Sequence, residues 1–149
     1  MRAHLSGTMV AMVVVVSLAL VGGLRVGTDQ TSNDEPDIER GSRLYDSYCV
    51  ECHGGATGGS ITDIPPPHNA NGHTWHHADC ELKDIILDGS DETTEAMREM
   101  RGVPDSVPVM PAFDDVLSEE EVKDILAHIK TWWTEQQREW QARATQALC

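Results

Sequence analysis

Apolar residues recur at helical spacing in three parts of the chain. The clearest run is preceded by Ser118 and Glu121, an S-x-x-E capping box that predicts a helix start. Its apolar positions lie three and four residues apart: Val122, Ile125, Leu126, Ile129, Trp132 and Trp133. No segment shows convincing alternation with a period of two. The pattern therefore predicts an all-α domain.

Two further helices are predicted upstream. Residues 37–48 begin with Asp37, a capping residue, and carry apolar residues and glycine at helical spacing: Ile38, Gly41, Leu44, Tyr45 and Tyr48. Residues 79–88 lie between Asp79, a predicted N-cap, and Gly89, a stop signal, with one apolar face formed by Leu82, Ile85 and Ile86.

The segments between these helices are less regular. Residues 54–78 are rich in Gly, Pro, Asn and His and predict a long loop, and residues 92–101 predict a short helix. Residues 102–117 contain three prolines and predict an extended loop. Residues 134–149 are expected to extend the last helix or to fray.

The N-terminal part has a different composition. Residues 9–24 are apolar and uncharged, and this length lies between the core of a signal peptide and a membrane-spanning helix. We favour an uncleaved signal-anchor over residues 1–26; a cleaved signal and a buried core helix are the alternatives. Either form of signal would export the rest of the chain to the outer face of the cytoplasmic membrane or the periplasm. Residues 27–36 are interpreted as a linker, 37–133 as the folded domain and 134–149 as a C-terminal helical tail.

Charge and composition narrow the function classes. The 149 residues carry a formal net charge of −14, which disfavours binding to nucleic acid or to anionic lipid. The acidic charge could steer the protein toward a basic patch on a redox partner, or it could serve only to keep the protein soluble. Aromatic residues make up only 5% of the chain, and a large apolar cofactor would compensate for such a small set of core aromatics.

The sequence Cys49-Val50-Glu51-Cys52-His53 carries the clearest chemistry. C-x-x-C-H is the attachment signature of haem c: two thiols reach the vinyl groups and the adjacent histidine reaches the iron. A zinc site would need a second ligand pair, for which only the downstream histidines are available. A thioredoxin-like dithiol would need a βαβ context that this helical pattern does not offer.

Met110, in the sequence V-M-P-A-F, is the predicted second axial ligand. A thioether is a soft, neutral ligand that raises the reduction potential of haem iron. The alternative is that Met110 only fills the core. Met97 and Met100 are weaker candidates, because they lie in a predicted amphipathic helix where packing is the more usual role.

Four motifs follow one another in this order: G-x-x-L-Y, C-V-E-C-H, M-P-A-F and L-S-E-E-E-V-K-D-I-L-A-H-I-K. Together they resemble the class I c-type cytochromes, and the resemblance covers residues 37–133. The resemblance implies a small helical fold around one haem c, attached through Cys49 and Cys52, with His53 and Met110 as axial ligands. It also implies that the first and last helices cross at Gly41. Tyr45 or Tyr48 and Ile129 or Trp132 would pack at that crossing.

The loop P-P-P-H-N-A-N-G-H-T-W-H-H departs from a minimal member of that family and is similar to an exported mono-haem subgroup. It contains four histidines: His68, His73, His76 and His77. We favour a role in the haem pocket, with Trp75 as a donor to the propionates. A second metal site, and a histidine in place of Met110 on the iron, are the alternatives. Cys80 and Cys149 are left over, either as a disulfide or as unpaired, intermolecular or modified thiols.

These observations predict an electron carrier in which the haem iron cycles between Fe(III) and Fe(II), and not an enzyme. Its partners would be redox proteins or membrane respiratory complexes, with residues 9–24 in the membrane if they are not cleaved. One alternative is a haem enzyme or sensor with an open sixth coordination position. Another is a subunit that feeds electrons into a larger exported oxidoreductase.

Overall fold

The computed structural model describes residues 35–60 and 63–149, which form a helical unit. The predicted signal-anchor, and most of the predicted linker, lie outside these residues. Six α-helices make up the described part of the chain: α1 (Ile38–Tyr48), α2 (Val50–His53), α3 (Asp79–Asp88), α4 (Glu92–Met100), α5 (Glu119–Lys130) and α6 (Glu135–Leu148). No strand occurs among the described residues, which confirms the predicted all-α class.

Local sequence signals set most of the helix bounds. The Asp37 carboxylate accepts a hydrogen bond from the Arg40 amide at the start of α1. Ser118 and Glu121 form the predicted capping box of α5. The predicted N-cap of α3 was wrong by one position: Ala78 is the cap, and its amide donates to the Glu81 carboxylate.

Helices α1 and α5 cross in close contact at Gly41. A β-carbon added to Gly41 would lie 2.1 Å from the Asp124 carbonyl oxygen, so only a glycine lets the two backbones approach this closely. Beside it, the Tyr45 and Trp132 rings meet edge to face at 4.9 Å between centroids. Of the aromatic residues predicted for the crossing, these two make the contact, whereas Tyr48 packs against Phe113.

The hydrophobic core is formed by α1, α3 and α5 together with the residues that flank α5. Its buried members are Tyr45, Leu82, Ile86, Leu117, Val122, Ile125, Leu126, Ile129 and Trp133. Ile85, predicted on the same face as Leu82 and Ile86, is instead 43% exposed. The three helices thus supply a rigid base for the loops that follow α2 and α4.

A buried carboxylate ties the α1–α5 crossing together. Asp124 is only 1% exposed, accepts a hydrogen bond of 2.7 Å from the Asp37 amide, and pairs with the Arg40 guanidinium. Arg40 also pairs with Glu120, and these two carboxylates raise the pKa of Arg40 above its ordinary value. The ion pair therefore neutralises the charge buried on Asp124.

We expect Asp124→Ala to lower the free energy of unfolding by about 3 kcal/mol, because it leaves the Asp37 amide and the Arg40 guanidinium without their shared acceptor. Chemical denaturation of the two proteins would measure the difference. Asp84→Ala, at an exposed position on α3, is the matched control and should change stability little. Equal stability of the two variants would contradict a structural role for the buried carboxylate.

The C-terminal segment forms a separate helix, so the expectation that residues 134–149 extend the last helix or fray was wrong. Thr134 and Gln137 make a capping box that starts α6 after a break. Helix α6 packs on α3 and on the 3₁₀ turn Thr74–His76. A disulfide between Cys80 and Cys149 links the C-terminal end of α6 to the first turn of α3.

A partly buried polar cluster joins α3, α5 and α6 near that disulfide. The Asp79 carboxylate accepts hydrogen bonds from Lys130 of α5 and from Gln141 of α6. The Asp79 amide donates to the Thr145 hydroxyl at 3.0 Å. Gln141 is only 2% exposed, so its amide needs these partners. The C-terminal helix is therefore held by specific contacts along its length.

Among the described residues, no helix is both long enough and apolar enough to span a membrane.

Candidate haem site

The C-x-x-C-H motif forms one helical turn directly after α1. Cys49 caps α1, and α2 carries Cys52 and His53. Both cysteines have free thiols, Cys52 exposed and Cys49 partly buried. Burial raises the pKa of the Cys49 thiol to about 12, and the neighbouring Cys52 adds to the shift. The structure thus brings the two thiols and the histidine together on one short turn.

His53 is oriented by a hydrogen bond to the loop that follows. Its Nδ1 lies 2.7 Å from the Pro66 carbonyl oxygen. Because a carbonyl can only accept, Nδ1 carries the proton and Nε2 keeps its lone pair. Burial lowers the pKa of His53, although the hydrogen bond to Pro66 opposes the shift. A neutral imidazole with a free Nε2 is the form that binds iron.

The end of the motif is fixed by α1. Tyr45 is fully buried, and its hydroxyl donates to the Gly54 carbonyl at 2.7 Å. Gly54 has φ = 70° and would bring a β-carbon within 2.7 Å of the Gly59 nitrogen. A glycine is therefore required at the point where the chain turns away from His53.

Met110 lies in a loop that is hydrogen-bonded to Ser90, two residues after the end of α3. Its amide donates to the Ser90 hydroxyl at 3.1 Å, and its carbonyl accepts from the Ser90 amide at 3.0 Å. A β-carbon on Gly89 would meet the Met110 carbonyl oxygen at 2.8 Å, so this pairing requires glycine there. The Met110 side chain is partly buried and packs against the core cluster.

Aromatic contact links the Met110 loop to the cysteine motif. Phe113 follows Met110 by three residues, and its ring meets Tyr48, which precedes Cys49, at 6.0 Å between centroids. Cys49 and Met110 also pack against the same core cluster. Met97 and Met100 are 44% and 82% exposed, so the expectation that they serve as packing residues was wrong.

The four histidines of the loop have different surroundings. The His68 ring stacks on His53, with 3.9 Å between centroids and 20° between planes. His73 pairs with Asp63, His76 contacts Trp75, and the Nδ1 of His77 lies 3.8 Å from a Glu81 carboxylate oxygen. Nowhere in residues 35–60 or 63–149 are three His, Cys, Asp or Glu side chains grouped to hold a metal ion.

Two tryptophans act in this region in ways the sequence did not predict. The indole of Trp75 donates to the Gly72 carbonyl at 2.8 Å, within its own loop, instead of serving a propionate. The indole of Trp133 donates to the His68 carbonyl at 2.8 Å. The missed residue is thus Trp133, which lies three residues beyond the end of α5 and whose apolar helical spacing in the sequence indicated only core packing.

The donor set fits a covalently held haem. It offers two free thiols three positions apart, an adjacent imidazole already protonated on Nδ1, and a thioether on a pinned loop. A family model described as cytochrome c oxidase, cbb3-type, subunit III matches residues 36–129. The chain belongs to this family. It is a class I c-type cytochrome, as the resemblance indicated.

The cytochrome c domain carries haem c and transfers electrons, which confirms the predicted cofactor and activity. The matched region contains α1 to α4 and all of α5 except its last residue, and it does not include α6. No curated protein sequence and no solved structure is similar enough to this cytochrome to count as a match.

Proposed function

We propose that Cys49 and Cys52 hold one haem through thioether bonds, and that His53 and Met110 are its axial ligands. The observation that carries this proposal is the Pro66 carbonyl at 2.7 Å from His53 Nδ1, beside two free thiols. That contact selects the tautomer a ligand needs and directs Nε2 away from the loop. The Ser90 contacts hold the backbone of Met110 on the other loop.

In this proposal, side chains of the protein set the reduction potential of a haem that carries one electron. The haem supplies the Fe(III)/Fe(II) couple. A thioether from Met110 favours the reduced state, and the hydrogen bond to Pro66 makes the His53 imidazole a better donor. With His53 and Met110 both bound, the iron would have no coordination position left for a substrate, and the protein would carry electrons without making or breaking substrate bonds.

We also propose that this domain works at the outer face of the cytoplasmic membrane, tethered by residues 9–24. The apolar run at those positions supports a tether, although its structure lies outside the described residues. The disulfide between Cys80 and Cys149 supports an oxidising compartment, since such bonds rarely persist in the cytosol.

As a partner we propose a membrane oxidase complex to which this chain feeds electrons. The description of the matched family, a subunit of a cbb3-type cytochrome c oxidase, supports an electron-feeding subunit over a free shuttle. The net charge of −14 supports docking on a basic surface. Native electrophoresis of solubilised membranes at low and high salt should show a larger haem-stained complex that dissociates as salt rises. A monomer under both conditions would contradict the subunit proposal.

Spectra of the haem-loaded protein test the ligation. We expect Met110→Ala to abolish the weak long-wavelength absorption band of iron–methionine bonding and to lower the reduction potential. Met100→Ala, at a position 82% exposed, is the matched control and should leave both the band and the potential unchanged.

Denaturing electrophoresis tests the covalent attachment. Replacing Cys49 and Cys52 with serine should leave no haem that survives denaturing electrophoresis.

The same spectra address the open-iron alternative. If the wild-type protein lacks the band and its reduced form takes up carbon monoxide readily, then Met110 is not bound. The proposed ligation is in that case wrong.

A further inference from the structure

The ring of His68 covers one face of the His53 imidazole. The two rings lie nearly parallel, 3.9 Å apart between centroids. On its other side, the His68 ring meets Tyr45 edge to face at 5.7 Å. The His68 Nδ1 atom is buried and has no hydrogen-bond partner, so no polar contact of this atom explains why the ring is placed there. The contacts that place the ring are therefore its stack on His53 and its edge contact with Tyr45.

The backbone of His68 is held by residues from the C-terminal part of the chain. The Trp133 indole donates to the His68 carbonyl at 2.8 Å, and the Gln137 amide donates to the Ala70 carbonyl at 2.9 Å. Between them, the buried Asn69 side chain donates to the Gly55 and Gly58 carbonyls, each at 3.0 Å. The backbone around His68 is therefore held from two sides, by the loop after the C-x-x-C-H motif and by Trp133 and Gln137, which lie just before α6 and in its first turn.

The hydrogen bond to Pro66 alone does not fix the plane of the His53 ring. A single contact at Nδ1 sets the direction of the imidazole but leaves the ring free to rock about that contact. A flat ring lying parallel at 3.9 Å blocks this motion, whereas a small side chain would leave room for it. Partners of a metal-binding histidine that fix its orientation also tune the metal.

We propose that His68 is a positioning residue that fixes the plane of the His53 imidazole, and that Trp133 and Gln137 hold His68 in place. This inference rests on the proposed ligation of iron by His53. It assigns a function to Trp133 and Gln137, which lie beyond the region matched by the family model. The C-terminal segment thereby influences the haem without contacting the motif itself.

The test compares haem-loaded His68→Ala and His68→Phe with the wild type. The ferric electron paramagnetic resonance spectrum reports the orientation of the axial ligands, and voltammetry gives the reduction potential. We expect His68→Ala to change the spectrum and to shift the equilibrium constant for electron exchange with a reference couple by up to tenfold. Tenfold corresponds to about 59 mV for one electron. His68→Phe, which keeps a flat ring, should restore the wild-type spectrum.

A second variant tests whether Trp133 holds His68, and a third serves as a control. Trp133→Phe keeps a ring in the core but removes the donor to the His68 carbonyl, and should shift the spectrum in the same sense by less. Asn71→Ala, at an exposed position of the same loop where only the backbone amide makes a hydrogen bond to Asn69, is the control and should change neither readout.

The proposal is overturned if His68→Ala leaves both readouts unchanged, or if His68→Phe changes them as much as His68→Ala does. The Phe variant and Trp133→Phe remain informative even if His68→Ala does not fold. His53→Ala is measured alongside. If it retains the wild-type haem spectrum, the proposed ligation fails and this inference with it. If it loses that spectrum while the His68 variants match the wild type, only this inference fails.

Discussion

Gly41→Ala is expected to destabilise the protein by at least about 3 kcal/mol, although alanine is the better helix former. On an isolated helix the change would be favourable by about 1 kcal/mol. Here the added β-carbon would lie 2.1 Å from the Asp124 carbonyl oxygen and 2.5 Å from its carbon, so the two helix backbones must separate. Separation also disrupts the edge-to-face contact between Tyr45 and Trp132. Denaturant unfolding of the haem-loaded proteins measures the effect.

Gly55→Ala is the matched control for this substitution. A β-carbon built on Gly55 meets nothing within 4 Å, and its φ lies outside the left-handed region. The same chemical change at Gly55 should therefore alter the free energy of unfolding by less than about 1 kcal/mol. If Gly41→Ala proves as stable as Gly55→Ala, the close approach of α1 and α5 is wrong.

Removal of the disulfide, by Cys80→Ser together with Cys149→Ser, is expected to cost about 4 kcal/mol. The bond links residues 69 positions apart, and the chain-entropy model assigns roughly this value to a loop of that length. In the variant, Lys130 and Gln141 still bind Asp79 and keep α6 in place, so the folded state should change little. The loss should therefore arise from the greater freedom of the unfolded chain.

The wild type supplies an internal control, because a thiol reductant opens disulfides but leaves thioether bonds intact. Reductant should lower the wild-type melting temperature to that of the double serine variant, and leave the variant unchanged. Labelling with iodoacetamide should then find two new thiols in the reduced wild type. A melting temperature that does not respond to reductant, with no new thiols, would show that the bond is absent in solution.

The sequence predicts well those parts of the fold that depend on local signals. The starts of α1 and α5 follow from side chains that cap their own helices, Asp37 and Ser118, whereas α5 ends at Lys130, before the last apolar positions of its predicted run. The placement of the thiols beside His53 follows from their adjacency in the chain. Even the start of α6 carried such a signal, since Thr134 and Gln137 form a capping box that predicts a new helix.

Contacts between distant segments could not be predicted in the same way. Trp133 has apolar helical spacing, and nothing in its neighbourhood indicates that its indole binds the His68 carbonyl, 65 positions away. Met97 and Met100 have the spacing of an amphipathic helix, yet no residue of α4 is buried. Periodicity shows that a helix has an apolar face, but it does not show whether another element covers that face.

The positions of the four cysteines have a consequence for how the mature protein is made. Cys49, Cys52 and Cys80 are all synthesised before Cys149, the partner that Cys80 finally takes. In the oxidising compartment proposed for this domain, the oxidant that makes the native disulfide could also join two of these three thiols before Cys149 is present, and that reaction would compete with haem attachment. The proposed attachment of haem through Cys49 and Cys52 would remove both of these thiols from the competition. If haem attaches first, Cys80 and Cys149 have only each other as partners, whereas a disulfide that includes Cys49 or Cys52 would block haem attachment at that cysteine.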